Sequence, residues 1–257
     1  MKNSTFRFII FVLVASCLVI APNVQSSNTN THSVNWGYSG DESPENWGDL
    51  SPEFKMCKLG KAQSPIDLND QSASSADSLE FTYKNTPFKV INNGHAIEVA
   101  YKAGSSIKIE GKRYELLQFH FHAPSEHTVK GAYYPMEAHL VHKSEDGQLA
   151  VIGVFLKEGQ YNPFIETLWA NLPTQKGERI VRGVTVNASA LPPKDKSYYH
   201  YTGSLTTPPC TEGVNWYVLK QPIEMSSQQL AKFQSVYSGN ARPVQPLNKR
   251  VIKTKEF

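Results

Sequence analysis

The chain has 257 residues, of which 40% are hydrophobic and 19% charged, so it can bury a full core in one large domain or two small ones. Its formal net charge is +3, and this small balance gives no indication of a nucleic-acid partner. Residues 36–250 contain no internal repeat and no linker rich in proline, glycine and serine, and we therefore predict one domain.

The N-terminus has the pattern of a secretory signal peptide. Lys2 and Arg7 precede an apolar run at 8–21, and small residues follow it up to a cleavage position after residue 26. The run is too short for a membrane span, and the mature chain is predicted to have none. Removing residues 1–26 takes away two positive charges and no negative one, which lowers the net charge from +3 to +1. We expect an exported protein, periplasmic or extracellular.

The cysteines leave two questions open. Cys17 lies inside the signal, but residues 14–17 also resemble a bacterial lipobox, which would make Cys17 a lipidated N-terminus; the apolar residues after it argue against this. Cys57 and Cys210 remain in the mature chain, and in an exported protein they most simply form one disulfide. Two free buried thiols are the alternative.

Next in the chain, residues 27–35 are rich in serine, asparagine and threonine and are predicted to be a disordered leader before a domain at 36–257. Alternating apolar residues then predict strands at 79–83, 88–91 and 96–101. Residues 107–110 and 113–122, joined at Gly111, predict a hairpin. The nearly continuous apolar run at 149–156 is typical of a strand buried on both faces.

Few helices are predicted. Asn162 and Pro163 form the start of one, as N-cap and first-turn proline, and Ser226 with Gln229 forms a capping box for another that ends at Gly239. We therefore expect a mainly β fold (α/β by some schemes), a single domain built on a large, twisted, mostly antiparallel central sheet with short peripheral helices.

Residues 118–142 hold five of the eight histidines. If residues 117–122 form a strand, alternation places His120 and His122 on one face beside Gln118, with Leu117, Phe119 and Phe121 on the other. The segment 137–142 has the same alternation and places His139 on one face with Glu137 and Val141. If the two strands are neighbours, the three histidines form one site.

Three neutral imidazoles with a fourth position left to water are the ligand set of a catalytic zinc. Metal-bound imidazoles usually donate their other N–H to a carboxylate, amide or carbonyl, and Gln118 and Glu137 each lie two positions before a histidine, where they could accept it. The alternative is that these are histidines satisfied within a core or exposed at random.

A third segment with chemical potential is SLTTPPC at 204–210, which two prolines and a predicted disulfide make rigid. A threonine hydroxyl can accept from a metal-bound hydroxide only if its own proton goes elsewhere, and Glu126 is the candidate acceptor.

These motifs resemble those of the α-class carbonic anhydrases, and the resemblance runs from Trp36 to about Lys253. The matching segments are QSPID at 63–67, NGHA at 93–96, QFHFH at 118–122, SEHT at 125–128, EAHLVH at 137–142, SLTTPP at 204–209, RP at 242–243 and QPL at 245–247. The resemblance implies a zinc ion on His120, His122 and His139, backed by Gln118 and Glu137, and a bridge between Cys57 and Cys210.

The resemblance also implies roles around the zinc. Thr206 would orient a zinc hydroxide through Glu126, with Thr207 nearby, and His95 would shuttle protons, a task that suits the ordinary pKa of histidine. The hydroxide would add to carbon dioxide to give bicarbonate. The resemblance leaves the oligomeric state open, monomer or dimer. The apolar wall that receives carbon dioxide is implied to consist of Val141, Val151, Leu205, Val214 and Trp216.

Departures from the family pattern are mild. Phe121 stands where many members have tryptophan, the link Ala123-Pro124 is short as in bacterial forms, and Glu98 adds a carboxylate close to the implied shuttle. His127, His142 and His200 are predicted to be structural or on the surface. Asn187 begins a glycosylation sequon, which matters only in a eukaryotic host.

Three rival interpretations were weighed. A cupin-like metal enzyme fits the spacing from His120 to Glu126, but Tyr114 stands where that motif has glycine and its second half is absent. A non-enzymatic carbonic-anhydrase-like binding module would be expected to lack a ligand histidine, and all three are present. Hydrolysis of activated esters is expected only as a weak side activity.

Overall fold

The computed structural model describes residues 34–70, 73–74 and 77–256. The predicted signal peptide, Cys17 and most of the predicted leader lie outside these residues. Val34–Phe257 is one compact unit. Within the described ranges, no helix combines the length and the hydropathy that crossing a bilayer requires.

Strands dominate the described residues, and their helices are short. The strands are β1 Asp67–Leu68, β2 Ala73–Ser74, β3 Leu79–Thr82, β4 Thr86–Asn92, β5 Ile97–Ala100, β6 Ser106–Ile109, β7 Lys112–His122, β8 Thr128–Val129, β9 Ala132–Tyr133, β10 Met136–Ser144, β11 Leu149–Glu158, β12 Gly177–Val186, β13 Tyr198–Ser204, β14 Glu212–Met225 and β15 Lys253–Lys255. The helices are α1 Trp47–Leu50, α2 Met56–Leu59, α3 Pro163–Trp169 and α4 Ser227–Gln234, with 3-10 turns at Gly40–Glu42, Pro52–Phe54 and Ala188–Ala190.

The central sheet has 12 strands, and its main path runs β12-β4-β5-β7-β10-β11-β14-β13-β15-β2, with β6 pairing β7 and β3. The pairs β11–β14 and β15–β2 are parallel, and the other described strand pairs of this sheet are antiparallel. A small second sheet joins β1, β8 and β9. The predicted fold class, a large and mostly antiparallel sheet with peripheral helices, is confirmed.

The predicted hairpin before the histidine strand is formed by β6 and β7, with Ile109 opposite Lys112. Its two turn residues, Glu110 and Gly111, have φ of 50° and 82°. Positive φ at both central positions is the requirement of a tight hairpin turn that matches the twist of the strands, and glycine meets it without strain.

Strand β7 separates the two faces of the sheet as the alternation predicts, with one exception. Phe119 and Phe121 are fully buried in the larger core cluster. Leu117, however, is 42% exposed, and Leu116 is buried in its place. The prediction for Leu117 is wrong because the register shifts between Val141 and His142, which skips one residue of β7. Such a β-bulge moves every earlier side chain to the other face.

Both helix starts are confirmed. The Asn162 side chain accepts from the backbone N–H of Phe164 and Ile165 at the start of α3. Ser226 and Gln229 form the complete capping box of α4. The predicted end at Gly239 is wrong, because α4 ends at Gln234. Gly239 instead adopts φ of 86° and donates its N–H to Ala123 O at 2.7 Å, which ties this segment to the residue after β7.

Helices α3 and α4 cover the face of the sheet opposite the histidines. The Phe121 ring lies edge-on to Trp169 of α3 at 4.9 Å and to Phe233 of α4 at 6.2 Å between ring centroids. All three side chains are buried. Burying each contributes about 1.5–3 kcal/mol or more of hydrophobic stabilisation, which holds β7 rigidly against α3 and α4.

Strand β11 lies in the middle of the sheet between β10 and β14. Residues 150–156 of this strand are buried without interruption, so the predicted strand with two buried faces is confirmed. Its neighbour β10 is thereby fixed at the centre of the sheet, where the flanking strands limit its movement.

His142 of β10 is fully buried, and its Nε2 lies 2.9 Å from the Tyr83 hydroxyl. Burial lowers its pKa to about 3, so it stays neutral in the folded chain where an unfolded histidine, with a pKa near 6.5, takes up a proton. The unfolded state therefore binds the extra proton, and this stabilisation is lost as pH falls from about 6.5 to 3, by up to about 1.4 kcal/mol per pH unit.

We predict that His142→Asn has a free energy of unfolding that depends less on pH between pH 6.5 and 4 than that of the wild type. Urea unfolding at several pH values measures this, with His200→Asn as a control at a more accessible histidine. Parallel pH dependences for His142→Asn and the wild type would contradict it.

Candidate metal centre

The pairing of β7 and β10 brings the three predicted ligands together. His120 and His139 are direct cross-strand partners, and His122 lies two residues along on the same face. The ring of His120 is 5.0 Å from that of His122 and 5.3 Å from that of His139, and the last two rings are 4.6 Å apart, between centroids. One nitrogen from each ring lies within 4.8 Å of the others, which makes the group a possible metal site.

Hydrogen bonds fix which nitrogen each ring presents to the centre. His120 Nδ1 lies 2.8 Å from Gln118 Oε1, and His122 Nδ1 lies 2.7 Å from the main-chain oxygen of Asn240, so both rings present Nε2. His139 Nε2 lies 3.0 Å from Glu137 Oε1, which leaves its Nδ1 for the centre. Gln118 and Asn240 hold the outer nitrogens of the first two rings as donors, as metal-binding imidazoles require, and the Glu137 carboxylate lies beside the outer nitrogen of the third ring.

The Glu126 carboxylate lies beside the ring nitrogens of His122 and His139 that face the centre of the site. It is fully buried, and its Oε1 accepts from the backbone N–H of Arg242 at 2.8 Å. Its Oε2 lies 3.5 Å from His122 Nε2 and 3.7 Å from His139 Nδ1. Among the described residues, neither this Oε2 nor His122 Nε2 has a hydrogen-bond partner. Buried polar atoms without partners are costly, so their convergence indicates a place for a bound cation and its water.

The electrostatics favour neutral imidazoles at two positions. Burial lowers the pKa of His120 well below its usual value, and the two neighbouring histidines act in the same direction. Burial also lowers the pKa of His122, against the attraction of Glu126. Burial opposes the charged form of His139 as well, but Glu137 outweighs it and raises that pKa. A divalent cation at the centre would repel the extra proton of the His139 ring and would therefore favour its neutral form.

Glu137 belongs to a buried network that the sequence did not indicate. Its Oε1 lies 2.8 Å from His127 Nδ1, and its Oε2 accepts from the backbone N–H groups of Glu126 and His127. His127 Nε2 lies 2.7 Å from the Tyr201 hydroxyl, which in turn donates to Ser64 at 2.8 Å. His127, predicted to be structural or on the surface, is fully buried here and orients the carboxylate behind His139.

A cavity of about 190 Å³ opens beside this group. His95 lies on its wall, and its ring stacks on Trp36 at 3.6 Å between centroids with an interplanar angle of 9°. Burial and nearby Lys176 lower the pKa of His95, against the opposite effect of Glu42. The cavity is lined by Trp36, Tyr38, Asn93, His95, Ala96, Glu98, Gln118, His120, His122 and Thr207.

Glu98 lies on this wall, at the position opposite His120 in the pairing of β5 and β7. Its side chain is partly buried, and desolvation raises its pKa while Lys89 acts to lower it. The carboxylate noted in the sequence as a departure from the family pattern therefore faces the same cavity as His95.

The segment at 204–210 lies against the centre. Thr207 lines the cavity, and Thr206 is buried with 5% exposure. Among the described residues, no hydrogen bond joins the Thr206 hydroxyl to Glu126, so their predicted contact stays a prediction. The Thr207 carbonyl accepts from the backbone N–H of Cys210 at 2.8 Å, and a disulfide joins Cys210 to Cys57. The predicted disulfide is confirmed.

The residues predicted to form an apolar wall lie together in a second, smaller hydrophobic cluster. Val151, Val214 and Trp216 are among its buried members, and the partly buried Val141 and Leu205 pack against the cluster. The Trp216 ring also lies 4.8 Å from that of His139, between centroids. An apolar surface therefore adjoins the third histidine.

Two residues of the site were not predicted. Asn240 supplies the main-chain oxygen behind His122. Arg242, noted only as part of a motif, is 1% exposed and donates to Gln63 Oε1, the Ser64 carbonyl and the Cys57 carbonyl. A contact made by a main-chain oxygen does not depend on the residue type. The pattern of side chains in the sequence therefore could not have revealed the role of Asn240.

A larger groove, of about 670 Å³, lies elsewhere on the surface, between the start of β7 and the end of β10. Its charged side chains include the ion pairs Lys112–Asp146 and Arg113–Glu115, at 2.8 and 2.9 Å. None of the predicted site residues lines it, and four of its six charged side chains are in these two ion pairs. Size alone therefore does not identify the functional site.

A large β-sheet carries three converging histidines, two of which line the adjacent cavity, and this is the arrangement of an enzyme site that could hold a metal ion. The model of the eukaryotic-type carbonic anhydrase family matches residues 42–256. The chain belongs to this family, whose reaction is the reversible hydration of carbon dioxide, and the predicted resemblance is confirmed.

Individual relatives support the assignment. A carbonic anhydrase of Nostoc sp. is 46% identical over 88% of this chain and 88% of its own length, and one of Klebsiella pneumoniae is 47% identical over 84% and 89%. The structure of the α-carbonic anhydrase of Thermovibrio ammonificans with the inhibitor sulfanilamide is 48% identical, with a TM-score of 0.83 over 86% of this chain and 99% of that one.

Proposed function

We propose that this enzyme hydrates carbon dioxide at a Zn²⁺ ion held by His120 Nε2, His122 Nε2 and His139 Nδ1. The observation that carries the proposal is the convergence of one nitrogen from each of these three rings within 4.8 Å, with an oxygen of Gln118, Asn240 or Glu137 beside each outer nitrogen. Three neutral nitrogen ligands and one open position suit a catalytic zinc better than a structural one.

The ion would supply a water whose pKa is about 7, a value general to carbonic anhydrases and not a result of this structure. The chain's own residues then orient and desolvate the reactants. Gln118 and Glu137 hold the rings of His120 and His139 in the required tautomers, and His127 holds Glu137 in turn. Loss of such partners typically costs about 10- to 100-fold in metal affinity or activity.

We assign Glu126 and Thr206 to orienting the attacking oxygen. Glu126 Oε2 is one of the buried acceptors without a partner among the described residues, and Thr206 is a buried residue next to Thr207 of the cavity wall. A Thr206 hydroxyl that donates to this carboxylate has only its lone pairs left for the centre, so it would accept a hydrogen bond from an attacking hydroxide and would orient that oxygen toward carbon. Thr207, on the cavity wall, contacts the same space.

We assign the apolar wall to binding of carbon dioxide. Val141, Leu205 and Trp216 offer no hydrogen bonds from their aliphatic or ring faces, and they belong to one cluster beside His139. An uncharged linear substrate gains from such a surface because it displaces poorly bound water. The charged product, bicarbonate, gains nothing from it and leaves toward the polar wall.

The experiment that tests the proposal pairs metal content with carbon dioxide hydration on one sample, before and after chelation and after zinc is restored. We expect zinc and activity to fall and return together. A metal-free sample with full activity would overturn the zinc assignment. Full zinc content without hydration would indicate a non-enzymatic binding module of the carbonic anhydrase type instead. Ester hydrolysis measured on the same sample shows how weak this side activity is relative to hydration.

We propose His95 as the residue that moves the proton out of the site. It lies on the cavity wall without being one of the three converging rings, and its pKa, lowered by burial and by Lys176, favours release of the proton to solvent near neutrality. The stack on Trp36 holds the ring at the side of the cavity.

We predict that His95→Ala slows turnover in weak buffer by about 10-fold or more, less than the 10²- to 10⁴-fold typical of acid–base groups, because water and buffer carry part of the transfer. Stopped-flow measurement of hydration checks this, and added imidazole should restore the rate. The control is zinc content, which should be unchanged. Equal turnover of variant and wild type in weak buffer would remove His95 from this role.

We also propose that the chain is exported, to the periplasm or the cell exterior. The Cys57–Cys210 disulfide supports an oxidising compartment, in which such bonds persist. Mass spectrometry of the mature N-terminus tests this and separates cleavage after residue 26 from lipidation at Cys17. A mature chain that retains Met1 would contradict both.

A further inference from the structure

We propose that the side-chain carboxamide of Asn240 is a positioning group that couples the turn carrying His95 to the strand carrying the metal ligands; this rests on the proposed shuttle role of His95. Asn240 is 2% exposed. Its Nδ2 donates to the carbonyls of His95 at 3.1 Å and Phe121 at 3.0 Å, and its Oδ1 accepts from the Ala123 N–H at 2.9 Å.

Every bond of this carboxamide goes to main chain, and the acceptors and donor come from two separate segments. Ile97 and Phe121 are the last paired residues between β5 and β7 at this end. The carboxamide therefore continues the connection between the two strands beyond the end of their backbone pairing. A buried amide with three partners is costly to remove, because each partner loses its bond as well.

The same residue also touches the metal site through its main chain, where its carbonyl lies 2.7 Å from His122 Nδ1. One residue thus contacts the backbone of the shuttle turn and the ring of a ligand. The two contacts use different atoms, so a side-chain substitution separates them: it can loosen the turn while the carbonyl behind His122 remains.

The other side-chain hydrogen bonds to the N–H groups of the turn, among the described residues, do not come from β7. Asn93 Oδ1 accepts from the N–H groups of His95 and Ala96, both at 2.8 Å, and Asn92 Oδ1 accepts from the Gly94 N–H at 3.0 Å. These bonds shape the turn internally. Its distance from the ligands is set by the pairing at Ile97 and, beyond it, by the bond from Asn240 to the His95 carbonyl. A misplacement of about 1 Å in a reacting group can cost about 10²-fold in rate.

The test uses Asn240→Asp in the zinc-loaded enzyme. This change keeps the Oδ1 acceptor and the main-chain carbonyl, but it places a second oxygen where Nδ2 faced two carbonyls. Asn162→Asp is the matched control, because Asn162 also accepts from backbone N–H groups through Oδ1 and donates through Nδ2 to a carbonyl, that of Glu224, outside the metal site.

We expect Asn240→Asp to lower turnover in weak buffer by about three- to tenfold, with a nearly normal rate in saturating imidazole, since the metal site is kept. Amide hydrogen exchange at Gly94, His95 and Ala96 should become faster. Asn162→Asp should change neither quantity. If the Asn240 carboxamide had only a structural role, like that of Asn162, both Asn240→Asp and Asn162→Asp would lower the unfolding temperature. The ratio of the turnover in weak buffer to the turnover in imidazole would then stay unchanged.

Wild-type exchange rates and weak-buffer turnover in Asn240→Asp would overturn the inference, as would faster exchange with normal turnover. His95→Ala run in parallel separates this from a failure of the proposed function: normal weak-buffer rates in both variants would overturn the shuttle itself, whereas a slow His95→Ala beside a normal Asn240→Asp overturns only the coupling. If Asn240→Asp does not fold, exchange of the wild-type Asn240 carboxamide protons decides, because protons that exchange as fast as those of exposed asparagines contradict the two bonds that Nδ2 donates.

Discussion

His139→Ala should lose zinc and hydration activity together. His139 supplies one of the three converging nitrogens, and a site left with His120 and His122 has too few ligands to compete for zinc against water and buffer. Loss of an outer hydrogen-bond partner alone costs about 10- to 100-fold, so loss of a ligand should exceed about 100-fold in zinc affinity and in rate. Metal analysis after dialysis and stopped-flow hydration measure the two effects.

Two further variants calibrate this result. Glu137→Gln keeps the ligand and changes only the acceptor behind it, so we expect a smaller loss, within the 10- to 100-fold range. His200→Ala removes a histidine whose ring stacks on Tyr217 at 4.3 Å, outside the converging group, and should keep zinc and activity. Full zinc occupancy in His139→Ala would remove this residue from the ligand set.

A second possible metal group shares two of these residues, since His127, Glu137 and His139 also present atoms within 4.8 Å of one another. Both ring nitrogens of His127 are already engaged, by Glu137 and by Tyr201. No lone pair is then free for a metal, and hydrogen bonding accounts for the cluster. Zinc retained in folded His127→Gln but lost from His120→Ala would confirm the distinction, and the opposite result would favour the second group.

The ligand strands could be predicted because alternation in a strand is a strictly local property. Phe119 and Phe121 on one face imply His120 and His122 on the other, whatever the rest of the fold does. The exposed Leu117 shows the limit of this reasoning. The bulge that exposes it arises from the register between β7 and β10, which depends on both strands, and no pattern within 112–122 records it.

Some of the groups that contact the outer nitrogens of the ligand histidines could be predicted from the sequence, and others could not. Gln118 was predicted because it lies two residues before His120 on the same strand face. Asn240 is 118 positions from His122, and it contacts that ring through a main-chain oxygen that any residue would offer. Arg242 likewise holds Glu126 through its backbone N–H. Contacts of this kind follow from the path of the chain after α4, which a side-chain pattern does not encode.

The double substitution Cys57→Ser with Cys210→Ser should lower the free energy of unfolding by about 3 to 5 kcal/mol. The disulfide closes a loop with a sequence separation of 153 residues, for which the chain-entropy model gives about 5 kcal/mol, and typical measured effects are about 2 to 4 kcal/mol. That is a large share of the roughly 5–15 kcal/mol of a whole domain. Urea unfolding followed by tryptophan fluorescence measures it.

Catalysis by the folded fraction should change little, because other bonds hold the same two segments. Arg242 donates to the Cys57 carbonyl at 2.9 Å, and Gln63 donates to the Cys210 carbonyl at 3.0 Å. Reductant should shift the wild type to the unfolding midpoint of the double variant and leave the double variant unchanged. Equal midpoints for the untreated wild type and the double variant would contradict the predicted stabilisation, and loss of activity without loss of stability would mean that the bridge, rather than Arg242 and Gln63, positions Thr206 and Thr207.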